Sequence, residues 1–350
     1  MIFIGDDAQL PPVKMGYSPA LDPSYLLSEY NLRSVGYELK EVVRQKANSR
    51  VMQNAIRLRE SLRKKIFNHI TLDLDSPGVE KVEYQDLINR YLQSCNNKIN
   101  AESIVIAYSN ADVAAYNRRI RGHFFPGTVE VTNGDKVMAV KNIYIDGMFV
   151  SNGDFGLIRH VFGVADQRTV TLRNKNSETG KIEETPVTLS FRDVEIGFKD
   201  LLGNPHFFKV KIIENLLYND HPNLTSDESK ALYVDFCIRH PNLKSGSLEF
   251  KETLRSDPYF NALHLKFGYA ITCHKAQGSE WNHVFVKCQA HKNQLTADYF
   301  RWLYTATTRT ADRLYLMDPP NIKLGSGLVM GGSTNIGFDS ESKASEKGEL

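Results

Sequence analysis

Tyr269-Ala270-Ile271-Thr272-Cys273-His274-Lys275-Ala276-Gln277-Gly278-Ser279-Glu280 is the stretch on which the reading of this chain turns. Apolar character from Leu265 to Thr272 predicts a strand. It ends in a hydroxyl, an imidazole, an ammonium and an amide, at Thr272, His274, Lys275 and Gln277. In parallel α/β sheets ligands collect outside the carboxyl ends of the strands, so this end suits phosphate. The same residues also describe a capped helix start whose His274 bonds only backbone.

Working outward, the pattern of a parallel sheet repeats. Val284-Phe285-Val286 reads as a strand, Thr296 to Thr308 as a helix and Arg313 to Met317 as a further strand. Upstream, Ser103-Ile104-Val105-Ile106-Ala107-Tyr108 suits a central parallel strand and is followed by a helix from Ala111 to Arg121. Another helix is expected from Tyr84 to Cys95. One from Asn48 to Lys65 carries Val51, Met52, Ala55, Ile56 and Leu58 at helical spacing. Tyr37 to Arg44 alternates as a strand does. Met1-Ile2-Phe3-Ile4-Gly5-Asp6-Asp7 reads as a buried strand entering a loop, with Gln9-Leu10-Pro11-Pro12-Val13 opening a connection to about Pro23. A strand with nothing before it to pair with suggests a chain that begins in the middle of a domain.

Between these parts the period changes. Val129 to Val150 and Gly156 to Phe198 alternate in short runs broken at Asn133-Gly134-Asp135, Asn152-Gly153-Asp154 and Glu178-Thr179-Gly180, which predicts a small antiparallel barrel. Phe207 to Phe260 reads as one or two helices separated by polar loops such as His221 to Lys230. The expected fold class is therefore α/β: a parallel-sheet lobe (21–125 and 262–320) interrupted by a β-rich insertion (126–261), preceded by the remnant of another lobe (1–20). A Gly-, Ser-, Lys- and Glu-rich disordered tail is expected over 321–350.

Composition narrows the function. The 350 residues are 41% hydrophobic, and 43 Lys plus Arg against 41 Asp plus Glu leave a net charge of +2, so bulk polybasic binding is excluded and any nucleic-acid contact is local. The four cysteines show no C-x-x-C or zinc-type spacing, which favours a reduced protein. No apolar run approaches the ~20 residues of a membrane span, and a cytoplasmic protein without membrane contact is expected.

Three strand ends offer phosphate donors: Gly5-Asp6 with Gln9, Arg44 with Gln45, and Thr272 with His274, Lys275 and Gln277. Arg309 adds a guanidinium at the end of a helix carrying Arg301, Trp302 and Tyr304, and arginine commonly stabilises charge on a transferring phosphoryl group. Singly, Arg44 and Arg309 read as surface ion-pair partners and Gln9 as a turn residue. Their order along the chain changes that reading.

Phe3 to Val13, Leu39 to Gln45, Ala107 to Asp112 with Tyr116-Asn117 and Ile120-Arg121, Asn152 to Gly156, Tyr269 to Glu280, and Leu303 to Arg309 resemble, in order, six motifs of the second half of a superfamily 1 DNA helicase of the RecD type, the exodeoxyribonuclease V alpha subunit and its Pif relatives. The match covers most of residues 1–318, from motif III onward. It implies a RecA-like motor lobe interrupted by a small Src-homology-like barrel, ATP hydrolysis, and 5′-to-3′ movement on single-stranded DNA in repair or recombination.

By resemblance, Gln9 senses the γ-phosphate, Arg44 and Arg309 reach it across a lobe interface, and Gly5, Asp6, Gly278 and Glu280 approach the nucleotide. Thr272, His274, Lys275 and Asn110 hold the DNA backbone. Tyr108 and Phe155 are candidates for base stacking or for ordinary core packing. The departure is that no G-x-x-x-x-G-K-[ST] loop and no Mg²⁺-binding acidic motif occurs here. Gly180-Lys181 is followed by Ile182 in a hairpin turn, and Asp227-Glu228 lies in a polar loop. ATP and Mg²⁺ are thus expected only with a missing N-terminal motor lobe, in cis or in trans, and the chain alone should hydrolyse nothing. Nuclease-complex subunits are further implied partners. Two alternatives stand beside this reading: a non-hydrolysing module that binds single strands or a subunit, and a nuclease suggested by the E-x-K spacing of Glu249-Phe250-Lys251.

Overall fold

The computed structural model describes residues 1–39, 50–74, 76–175, 180–290 and 293–323. Along the chain these form α1 (Pro23–Tyr30), α2 (Arg50–Lys64), β1 (His69–Thr71), β2 (Val79–Lys81), α3 (Leu87–Ser94), β3 (Ser103–Ala107) and α4 (Asn110–Phe124). Six strands follow: β4 (Lys136–Ala139), β5 (Ile143–Ile145), β6 (Met148–Val150), β7 (Phe155–Lys175), β8 (Ile182–Lys199) and β9 (Pro205–Ile213). Next come α5 (Asn215–Tyr218), α6 (Ser226–Arg239), α7 (Leu248–Ser256), β10 (Leu263–Phe267), β11 (Ala270–Thr272), α8 (Cys273–Ala276), β12 (Trp281–Lys287), α9 (Ala297–Thr307), β13 (Thr310–Met317) and β14 (Asn321–Lys323).

Five strands make one all-parallel sheet in the order β11-β3-β12-β13-β2. Parallel strands covered on both faces must be apolar throughout, and β3 is buried at every position. Alternate residues point to opposite faces. Ile104, Ile106, Val284, Val286, Leu314 and Leu316 pack on the side of α2, α8 and α9. Val105, Ala107, Phe285, Tyr315 and Met317 pack on the side of α3 and α4. Each fully buried Ile or Leu contributes about 1.5–3 kcal/mol, so a polar residue at any of these positions would be costly. α4 starts at Ser109, whose hydroxyl accepts the Asp112 amide, and buries Val113, Tyr116 and Ile120 at one-face spacing.

β10, β4, β7, β8 and β9 form a closed barrel, sealed by the parallel pair β9–β10. In the chain its strands fall between α4 and β11. The single strand expected from Leu265 to Thr272 is thus two strands in two sheets: β10 closes the barrel, and β11 enters the parallel sheet beside β3. The break is at Gly268, where an added Cβ would lie 3.0 Å from the Phe155 ring and 3.2 Å from Val137 backbone. A side chain there would require the ring or the backbone to give by a few tenths of an ångström, so glycine suits this close approach. The barrel therefore extends past residue 261.

Other differences have equally local causes. Residues 1–6 form no strand, and Ile2 and Ile4 are largely exposed: β-structure needs a partner edge, and among the described residues none lies beside them. Residues 37–39 are also irregular, and the rest of the expected Tyr37–Arg44 strand lies outside the described residues. Phe207 to Ile213 belongs to β9. The polar stretch His221 to Lys230 contains the start of α6, because Thr225 and Glu228 form a reciprocal capping box. Of the expected tail, Asn321–Lys323 pairs antiparallel with β1, and 324–350 lie outside the described residues. No helix among the described residues is long and apolar enough to cross a membrane.

Candidate functional site

The parallel sheet has two ends, and the sequence candidates divide between them. Thr272 is the last residue of β11 and pairs with Ala107, the last of β3. Asn110 opens α4 three residues after Ala107, so Thr272, His274, Lys275 and Asn110 lie at the carboxyl end. Trp281 pairs with Thr310 at the opposite end, and His283 pairs with Ser103 at the start of β3. Gly278, Glu280 and Arg309 immediately precede those starts. Ser103 and Ala107 are four residues apart, so the two groups are separated by about 13 Å along the strands. Arg309, expected at the end of a helix, follows α9 and comes before β13.

At the amino end three distant segments converge through hydrogen bonds. The Leu10 amide donates to Thr305 Oγ1 (2.9 Å), and Gln277 Nε2 donates to the Leu10 carbonyl (2.9 Å). Tyr304 donates its hydroxyl to Asp6 Oδ2 (2.9 Å), to which Gln9 Nε2 also donates (3.3 Å). Asp6 Oδ1 accepts the Ala8 amide (3.1 Å), and Arg59 of α2 approaches it at 3.7 Å. Arg301 Nη1 donates to the Gly16 carbonyl (2.9 Å). Burial and the Asp6 carboxylate push the Tyr304 hydroxyl up to about 12.

Arg309 is 2% exposed. Its Nε donates to Thr305 O (3.1 Å), Nη1 to Ser279 O (3.4 Å) and Nη2 to Thr308 Oγ1 (3.1 Å), so its guanidinium is oriented by α9 and by the turn before β12. That turn needs Gly278, whose φ is +85°. Glu280 is exposed, and Gly5 packs against Leu21. Arg44 lies outside the described residues.

The carboxyl end is more open. Thr272 is half-buried and makes no side-chain cap to α8, while His274 and Asn110 are exposed. Partial loss of water lowers the His274 and Lys275 pKa values below their ordinary ones. Lys275 donates to the Asn152 amide oxygen, joining this end to the β6–β7 turn of the barrel. Tyr108 packs on Trp302 with ring centres 5.5 Å apart, and Phe155 on Trp281 at 6.0 Å. Both rings serve the core here.

Some contributors carry no role in the sequence reading. Tyr304, Thr305 and Thr308 share one face of α9 with Arg301, at i, i+3, i+4 and i+7, a spacing that helix periodicity exposes. Asn117 is buried; its Oδ1 accepts the Tyr269 and Ala270 amides (2.9 and 2.8 Å) and its Nδ2 donates to Ala270 O (3.0 Å), fixing the three-residue edge strand that presents Thr272. At the amino end of the sheet, buried Arg121 pairs with Asp135 through two bonds (2.7 and 2.9 Å) and caps the Thr128 carbonyl. Lys136 Nζ donates to Ser103 O (3.2 Å), and burial lowers its pKa to about 8.

Among the described residues no group of three or more His, Cys, Asp or Glu side chains is placed to hold a metal. Glu249 lies in the first turn of α7, and Asp227 and Glu228 in the first turn of α6, Glu228 serving the α6 cap.

Among solved structures the chain is similar to the Pif1 helicase of Candida albicans, at 17% identity over 90% of this chain and 63% of that one, with a TM-score of 0.45. It is also similar to the Pif1 helicase of Bacteroides in complex with ADP-AlF3 and single-stranded DNA, at 14% identity over 81% and 52%, with a TM-score of 0.34. The chain thus spans less than two thirds of either protein. No curated protein matches the sequence. Residues 267–317, from the end of β10 through β13, match the model of the UvrD-like helicase C-terminal domain family.

Proposed function

We propose that this chain supplies the second, RecA-like motor lobe of an ATP-dependent DNA helicase, with the closed barrel as its Src-homology-like insertion. The observation that carries the reading is the convergence of residues 6–10, 277–279 and 304–309 at one end of the sheet, with Thr272 and Asn110 left open at the other. The matched helicase-family segment contains both the Thr272–Glu280 stretch and Arg309. On this reading the amino-end cluster of Asp6, Gln9, Gly278, Glu280 and Arg309, with Gly5 and Arg44 by resemblance, faces the nucleotide phosphates. Arg309 supplies positive charge toward a phosphate, and Gln9 reports its presence to the lobe. Thr272, His274, Lys275 and Asn110 line the single-strand side, where phosphate contacts position the strand without reading sequence.

The bound nucleotide supplies the energy of movement, and its Mg²⁺ and phosphate loop belong to another lobe, because the 350 residues contain no such loop. Movement from 5′ to 3′, the RecD type and association with a nuclease complex belong to the same proposal and rest on motif order.

ATP turnover tests it. The chain by itself, with Mg·ATP and single-stranded DNA, should show no turnover, and adding a lobe that carries the phosphate loop should create turnover that Arg309→Ala removes. Activity of the chain alone that depended on Arg309 would falsify the two-lobe reading. Tight, salt-insensitive DNA binding by the chain alone would favour a non-hydrolysing binding module.

A further inference from the structure

Gln9 and Arg309 are far apart in sequence, yet hydrogen bonds to the side chain and to the backbone of Tyr304 connect them through that one residue. Gln9 Nε2 and the Tyr304 hydroxyl both donate to Asp6 Oδ2. The Tyr304 carbonyl accepts the Thr308 hydroxyl (2.8 Å), and Thr308 Oγ1 accepts Arg309 Nη2 (3.1 Å). Tyr304 is the only member of this series that belongs to the helix by its backbone and to the loop by its side chain.

We propose that Tyr304 is a positioning residue whose hydroxyl, by holding the Asp6 carboxylate, keeps Gln9 in register with Arg309. The inference rests on the amino-end cluster being the nucleotide side. Packing does not require this hydroxyl, since a phenylalanine ring would fill the same space. Burying a phenol is unfavourable unless it is hydrogen-bonded, and here its acceptor is a carboxylate, which makes the bond one of the stronger kind. Asp6 is held in turn: its second oxygen takes the Ala8 amide, and Arg59 stands 3.7 Å away to balance its charge. The neighbouring Thr305 reinforces the contact by accepting the Leu10 amide while donating to the Arg301 carbonyl (2.7 Å). The loop therefore sits on α9 through two adjacent side chains, one of which ends on charge. A change at either end, at Gln9 or at Arg309, is passed on through Tyr304 together with its neighbour Thr305.

Two measurements separate this role from simple structure. In the chain as it stands, hydrogen exchange at the Ala8 and Leu10 amides should quicken about tenfold in Tyr304→Phe, as befits loss of a hydrogen bond to a charged group, while the amides inside α9 keep their protection. In protein that also contains the phosphate-loop lobe, Tyr304→Phe should lower kcat for ATP about tenfold and leave KM within about twofold, the pattern of a lost transition-state arrangement rather than lost ground-state binding. Asp6→Asn, which keeps the shape and weakens the same bond, should reproduce both effects and serves if the tyrosine variant fails to fold. Unchanged exchange at Ala8 and Leu10 would overturn the latch itself. Faster exchange throughout α9 would reduce Tyr304 to a packing residue and overturn the proposal. Turnover unaffected by Tyr304→Phe but abolished by Arg309→Ala would overturn the positioning role alone, whereas turnover indifferent to Arg309→Ala would remove the nucleotide-side reading beneath it.

Discussion

The two ends of the parallel sheet are built differently. At the amino end nearly every polar side chain is committed: Arg309 to three oxygens, Asp6 to a tyrosine, a glutamine and an amide, Arg121 to Asp135, and Lys136 to the Ser103 carbonyl. At the carboxyl end Thr272 caps nothing, and His274 and Asn110 stand exposed. The contrast has a physical logic. A group that must meet developing charge works best when oriented in advance, whereas contacts to a moving strand must form and break and gain from being solvated. The barrel follows the same division, joined by buried charges at the amino end and by the Lys275–Asn152 contact at the carboxyl end.

The largest expected effect lies at the committed end. With the phosphate-loop lobe present, Arg309→Ala should cost about 10³-fold or more in ATP turnover, and Arg309→Lys nearly as much, because a point charge cannot satisfy the forked acceptors at Thr305, Ser279 and Thr308. Lysine restoring most of the rate would mean that charge alone, and not preorganisation, distinguishes this end.

Next in size is the junction with the barrel. Asp135→Ala leaves buried Arg121 without its carboxylate, and urea denaturation should show a loss of about 3–5 kcal/mol. A loss under about 1 kcal/mol would show that the amino end does not depend on this pair.

Lys136 makes a pH-dependent test of the same junction. Its folded pKa is lowered to about 8 from 10.5, so between those values the unfolded chain binds more protons and stability rises with pH. Below pH 8 both states are protonated and the penalty for burying the charge is present in full. Relative to Lys136→Met, the wild type should therefore gain up to roughly 3 kcal/mol between pH 8 and pH 10.5. A difference that stays flat across this window would mean that Lys136 is better hydrated than its burial implies.

The smallest effect belongs to the open end. Thr272→Ala should leave basal ATP turnover intact and weaken DNA stimulation about fivefold, the worth of one phosphate hydrogen bond. Binding of single-stranded DNA to the isolated chain should be weak and fall with added salt. Basal turnover lost as completely as in Arg309→Ala would erase the division between the two ends.

Much of this organisation is legible in the residues. The apolar runs at Ser103–Ala107 and Val284–Val286 suit strands buried on both faces, and Val51, Ala55 and Leu58 fall on one face of a helix. The turns from Asn133 onward predict antiparallel pairing, which β4, β7, β8 and β9 show, but β7 and β8 run to 21 and 18 residues where short strands are expected. The candidate site residues are not individually legible: singly Arg309 reads as an ion-pair partner and Gln9 as a turn residue, and only the order of the motifs singles them out.

What the sequence determined, then, was the local conformation and the kinds of chemical group available. Tertiary structure alone decided which group meets which. Leu265 to Thr272 reads as one strand, and only strand pairing divides it at Gly268, with β10 in the barrel and β11 in the parallel sheet. Arg309 and Thr272 look alike as polar residues beside apolar runs, and only the register of β11, β3, β12 and β13 puts them at opposite ends. Met1 to Ile4 has the composition of a strand but no edge to join among the described residues. Periodicity reports how a segment buries its own side chains; strand pairing and the hydrogen bonds of Asp6, Tyr304 and Arg309 link residues hundreds of positions apart, and no local pattern encodes a partner at that distance.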